Sequence, residues 1–207
     1  MDPGNGAAWF DSFWRAGRRN DVAAMRQDLS AIATSRSFDT YWNATISHIT
    51  NAIVKTHTMD LPTALVATIG VASATDVPPY QAILNACKGE SLKDPDRLNI
   101  CRQVSTVMRG GDTYITEMIG IAIAKRAWPE GSPAYVDAVS ARRVGHYRMD
   151  ADAKPSLRRF LFSGFAAKRL QLMMEKTSEQ EVILAEIWNA GWSPEPPSDY
   201  SDGSSGS

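Results

Sequence analysis

Two cysteines, three histidines, several carboxylate pairs and one arginine-rich segment are the residues of this 207-residue chain that could do chemistry. Cys87 and Cys101 each lie seven residues from Asp94. Asp94-Pro95 reads as the N-cap and first residue of a helix carrying Leu98, Cys101, Val104 and Met108. Pro78-Pro79 opens the preceding helix, which runs through Tyr80, Ile83, Leu84 and Cys87 until Gly89 stops it. In an antiparallel helix pair, equal distance from the turn brings two side chains together. We therefore expect a Cys87–Cys101 disulfide, closing a loop of 13 intervening residues and contributing about 3 kcal/mol through the unfolded chain. The alternative is two free buried thiols, which are common core residues.

His48, His57 and His146 form no H-E-x-x-H motif. Asp60 follows His57 by three residues and Asp150 follows His146 by four, but neither pair has a third ligand at helical spacing, so no metal is expected. His48 and His57 are nine residues apart, about 900° of helical rotation, which puts them on opposite faces of any shared helix. G-x-S-x-G, the cysteine-protease signatures, G-x-x-x-x-G-K-[ST] and G-x-G-x-x-G do not occur, so Cys87 or Cys101 would be a nucleophile only if unbridged and no cofactor is expected. Gly110-Gly111 reads as a helix stop with Asp112 capping the next helix. Of the carboxylate pairs, Asp94/Asp96 and Asp112/Glu117 are explained by capping, and Asp150/Asp152 fall at a helix end.

The charge of the chain is balanced in total, with a net value of -1, yet polarised along its length. Residues 125–176 carry eleven Lys/Arg against five Asp/Glu, and residues 177–207 carry none against six. The candidate binding face is Arg142, Arg143, His146, Arg148, Arg158, Arg159 and Arg169, interleaved with Tyr147, Phe160 and Phe162. Arginine beside aromatic rings favours carboxylate or phosphate recognition. A nucleic-acid reader would carry a larger basic excess and a recognisable module, so an acidic protein partner is expected instead. On a helical wheel Arg159 falls clear of the apolar stripe, while Arg158 and Arg169 fall on its border beside Phe165. The alternative is that these cations pair internally with Asp150, Asp152 and the acidic tail, which would leave no patch.

The elements that must position these groups are helices, because no segment combines apolar alternation with hairpin signals. The expected fold class is all-α, an irregular array of about nine helices in antiparallel hairpins. Helix one spans about Ala7–Gly17, with Trp9, Phe10, Phe13 and Trp14. Asn20-Asp21 caps the second, the third covers Phe38–Lys55, and a fourth starts at Asp60-Leu61-Pro62 and ends near Thr75. Tyr114–Ala124 is apolar nearly all round, with Gly120 and Ala122 small enough for close approach, which marks it as central. Ser132-Pro133, Pro155 and Thr177-Ser178-Glu179 open the last three. Ile115, Met118, Ile119, Ala122, Phe160, Leu161 and Phe165 are the expected core. One helical domain over residues 1–192 and a disordered Pro/Ser/Gly-rich acidic tail over 193–207 complete the organisation.

Trp9, Asn20-Asp21 at the turn and Ala24 early in the second helix follow the habits of tetratricopeptide repeats, and residues 7–35 resemble one such hairpin. Phe13 stands where that family has a small residue, and no fixed period recurs downstream, so a regular solenoid is not expected. Cys87 and Cys101 flanking a hairpin, followed by Asp112-Thr113 opening an apolar helix, also resemble uncharacterised secreted bacterial helical proteins.

The longest apolar run, around Ile119–Ala124, is too short for a membrane span. Met1-Asp2-Pro3-Gly4-Asn5-Gly6 has no positive region followed by an apolar stretch. A bridged pair would place the protein in a periplasm or outside the cell, its signal already removed; without the bridge a cytoplasmic location is expected. The expected function is a non-enzymatic helical protein-interaction module, with a periplasmic immunity or inhibitor protein as a specific case. The alternatives are a hydrolase-like enzyme with residues converging from separate helices, and anion or nucleic-acid binding through the basic face.

Overall fold

A computed structural model describes residues 2, 4–153 and 163–201, the side chains of 75–79 and 163 excepted. Its helices are α1 Phe10–Arg18, α2 Val22–Ala33, α3 Trp42–Lys55, α4 Leu61–Ala86, α5 Pro95–Arg109, α6 Tyr114–Ala127, α7 Pro133–Ala153, α8 Ser163–Glu175 and α9 Glu179–Asn189. Short 3-10 helices cover Gly6–Trp9 and Gly89–Lys93. Among the described residues there is no strand, only an isolated bridge between Asn5 and Ser37, so the fold is all-α as the sequence predicts. Among the described residues no helix is long and apolar enough to cross a membrane.

Capping side chains set several of these boundaries. Asp21 accepts from the Ala24 N–H, Asp94 from the Asp96 N–H, and Ser178 and Glu181 form a reciprocal box at the start of α9. The residue capping α6 is Thr113, which accepts from the Thr116 N–H, and not the expected Asp112. Asp112 is buried and accepts from the backbone N–H and the hydroxyl of Thr40. That contact also explains why α3 starts at Trp42 instead of Phe38: Thr40 is held by Asp112, and the Phe38 carbonyl accepts from the Asp112 N–H.

The largest departure is α4, a single helix through the Pro78-Pro79 site where the sequence predicts one helix ending and another beginning. An interior proline removes the N–H that the carbonyl four residues back would accept from and crowds that carbonyl, a cost of about 3 kcal/mol or more, yet the helix runs on past both positions.

The chain forms two compact units, Met1–Thr40 with Asp76–Arg142, and Tyr41–Thr75 with Arg143–Ser207. The division between Thr75 and Asp76 falls beside the two prolines.

The first unit packs Phe10, Phe13, Leu29, Ile32, Phe38, Tyr80, Ile83, Val104 and Met108 around Cys87 and Cys101. Phe10 meets Phe38 and Tyr80 edge-on, with centroids 5.4 and 4.7 Å apart. The expected disulfide is present, with Cα atoms 5.7 Å apart. Gly120 is required where α5 and α6 cross, because a Cβ there would lie 2.7 Å from the Arg109 amide nitrogen and 2.9 Å from the Ser105 carbonyl oxygen.

Ile115, expected in the core, is 41% exposed. With Ile115 as origin, the buried Thr116, Gly120, Ile121, Ile123, Ala124 and Ala127 fall between about 80° and 240°, so Ile115 points away from the packed face. Met118, Ile119, Ala122 and Phe165 are half-buried, and Phe160 and Leu161 lie outside the described residues.

The second unit packs Ile46, Leu65, Ala166, Leu170, Met173 and Val182 in one cluster, and Ala151, Ile183 and Ile187 in another.

Candidate functional site

The C-terminal half of α7 carries Arg143, Tyr147 and Asp150 at spacings of four and three residues, which aligns them along one stripe, with Arg148 beside it. Against this stripe lie residues 193–200, part of the segment whose composition suggests a disordered tail. Gly191, at φ +74°, turns the chain at the end of α9, while the Trp192 N–H donates to the Ile187 carbonyl. From there the Tyr147 hydroxyl donates to the Ser193 carbonyl at 3.2 Å, and Arg148 Nε to the Pro194 carbonyl at 3.1 Å. Arg148 Nη2 pairs with Glu195 Oε1 at 3.1 Å. Arg143 donates to three carbonyls, those of Pro197, Ser198 and Tyr200. The Tyr200 hydroxyl donates to Asp150 Oδ2 at 2.6 Å, and its ring stands edge-on to Tyr147 with centroids 5.2 Å apart.

The seven residues of the predicted basic face therefore have different fates. Arg143 and Arg148 hold the tail. Arg142 and His146 are half-buried, and Arg158 and Arg159 lie outside the described residues. Arg169, placed by its helical position on the border of an exposed face, is 7% exposed. Its Nη1 is 3.3 Å from both oxygens of Asp152 and also bonds Glu186 Oε2. The reason is its position in α8 between Ala166, Leu170 and Met173, all buried, while Asp152 on α7 supplies the counter-charge and Glu186 on α9 a second acceptor.

Above this triad a cleft of about 150 Å³ is lined by Asp152, Phe165, Lys168, Glu186, Asn189 and Trp192, among others. Burial, reinforced by a hydrogen bond with Asp152, pushes the Glu186 carboxyl up to about 8 against the opposing pull of Arg169. Glu186 is thus protonated at neutral pH. A carboxylic acid titrating in that range could in principle transfer a proton, but here both carboxyls are engaged in holding Arg169 inside. Sequence reasoning passed over Glu186. The available signal was its position beside Val182, Ile183 and Ile187 on the buried side of α9, where an acid needs a partner.

In the first unit a groove of about 450 Å³ runs past Trp14, Arg18, Met25, Gln81 and Asn85, with the Arg18 guanidinium 5.3 Å from the Trp14 ring centroid. His48 and His57 are exposed, and among the described residues no three His, Cys, Asp or Glu side chains are placed to hold a metal ion. No family model matches the chain, and comparison with curated proteins and with solved structures likewise finds no match.

Proposed function

We propose that this chain is a helical protein-interaction module that binds an acidic partner protein through the α7 face built by Arg143, Tyr147 and Arg148. The observation that carries this reading is the docking of an acidic segment, residues 193–200, on that face by those three side chains. The buried Cys87–Cys101 bridge supports an oxidising compartment, periplasmic or extracellular, where an inhibitor or immunity protein is the specific role we favour. A hydrolase-like enzyme is the second reading, favoured only by the protonated Glu186 in its cleft.

The test is capture of partners from the source organism's extract by the wild-type chain and by the Arg143→Glu, Arg148→Glu double variant, with mass spectrometry as the readout. A partner bound through this face is lost from the folded double variant, and its association rate falls with ionic strength. A partner retained in full by the double variant refutes the reading.

A further inference from the structure

Resting on that reading, we infer that the α7 face is a receptor for a non-helical, proline-rich acidic segment bearing a Pro-x-x-Tyr turn, and that residues 193–200 occupy it in cis as a stand-in for the partner's segment.

The chemistry of the contacts argues for a receptor more than for simple packing. Five of the seven hydrogen bonds from or to this stripe described above end on main-chain carbonyls, those of Ser193, Pro194, Pro197, Ser198 and Tyr200. A surface that reads carbonyls accepts any chain presenting them in the same places. Side-chain selection enters at two points, Glu195 on Arg148 and Tyr200 on Asp150.

Pro194, Pro196 and Pro197 bring no N–H and have φ fixed in advance, so such a segment keeps its carbonyls free and loses little chain entropy on docking. The turn is closed by the Tyr200 N–H donating to the Pro197 carbonyl at 3.0 Å. That closure gathers the carbonyls of Pro197, Ser198 and Tyr200 within reach of one guanidinium, whose planar fork of donors suits a convergent set of acceptors. The Tyr200 ring then fills the space beside Tyr147, with the Arg143 guanidinium carbon 5.9 Å from its centroid.

The cis segment is tethered two residues after Gly191, so it competes at an effective concentration on the order of millimolar. A segment supplied in trans is then weakened in proportion to the fraction of time the face is covered. Loosening the cis tail should therefore reveal the site.

The experiment uses the full chain and a fluorescein-labelled peptide of residues 193–201, with anisotropy as the readout. Tyr200→Ala removes the ring contact and the Asp150 bond from the cis tail and leaves the face intact. The peptide should bind this variant at least about tenfold more tightly than wild type. Tyr200→Phe, which keeps the ring, should fall between the two. Adding Arg143→Ala to Tyr200→Ala should weaken binding at least about tenfold, since three carbonyl contacts are lost. A peptide of the same charge with its three prolines replaced by serine should bind more weakly than the native one. Circular dichroism melts establish that each variant is folded. The inference is overturned if the peptide gives no anisotropy rise with Tyr200→Ala at concentrations up to about 1 mM, or if Arg143→Ala leaves its binding unchanged. Should the captured partner depend on Arg143 and Arg148 while the peptide fails to bind, the partner uses this face without an extended segment: the broader reading stands and this inference falls.

Discussion

Glu186→Gln keeps the size of the side chain and its ability to donate to Asp152 and accept from Arg169, and it removes the titration. In the wild type the folded chain retains a proton on Glu186 up to about pH 8, while the unfolded chain releases it near the ordinary value of 4.5. Between those limits the folded state binds more protons than the unfolded one, so stability is fully present at low pH and declines as pH rises. The slope reaches at most about 1.4 kcal/mol per pH unit, so from pH 5.5 to 7.5 the wild type should lose about 2–3 kcal/mol through this group. A loss of that size is readable against a domain stability of about 5–15 kcal/mol. Urea unfolding of both proteins at pH 5.5, 6.5 and 7.5 checks it, because titrating groups away from the triad contribute equally and cancel in the difference. The two should differ little at pH 5.5, with the variant progressively more stable than the wild type towards pH 7.5. Parallel pH profiles would show that Glu186 is ionised throughout, and the account of the triad would be wrong.

Replacing both Cys87 and Cys101 by Ala should cost about 3 kcal/mol through the loop they close, together with a cavity term because both sulfurs lie in the core, measured as a fall in denaturant midpoint. Gly120→Ala should cost about 1–3 kcal/mol, since the new Cβ meets α5 backbone at Arg109 and Ser105 as well as the Arg109 Cγ, and its thermal midpoint should drop accordingly. Arg169→Ala should cost about 3–5 kcal/mol at neutral pH by leaving the Asp152 carboxylate buried without its counter-charge and the neutral Glu186 without its donor, as chemical denaturation would report.

Much of the helical framework was legible because it is written locally. Asp21, Asp94-Pro95 and Ser178 with Glu181 each declare a helix start within a few residues, and the disulfide followed from counting residues away from one turn. What escaped the sequence was carried by long-range pairing or by the main chain. Arg169 is buried because Asp152 and Glu186, both 17 positions away, are folded against it, and no periodicity encodes that meeting. Pro78-Pro79 reads as a helix start, although in α4 it lies inside one continuous helix whose ends join different hydrophobic cores. The docking of residues 193–200 was hidden for another reason: the contacts fall mainly on carbonyl groups, which every residue possesses, so a composition rich in Pro, Ser and acid gives no hint of them.

The burial of the disulfide has a kinetic consequence. Cys87 and Cys101 are both 0% exposed, and thiolate attack on a sulfur requires an approach in line with the S–S bond. A small dithiol therefore cannot reduce the bond while the first unit is closed, and the second unit contains neither cysteine. The reduction rate in excess reagent accordingly reports every opening that uncovers the first unit's core, a built-in clock for the exposure of that core.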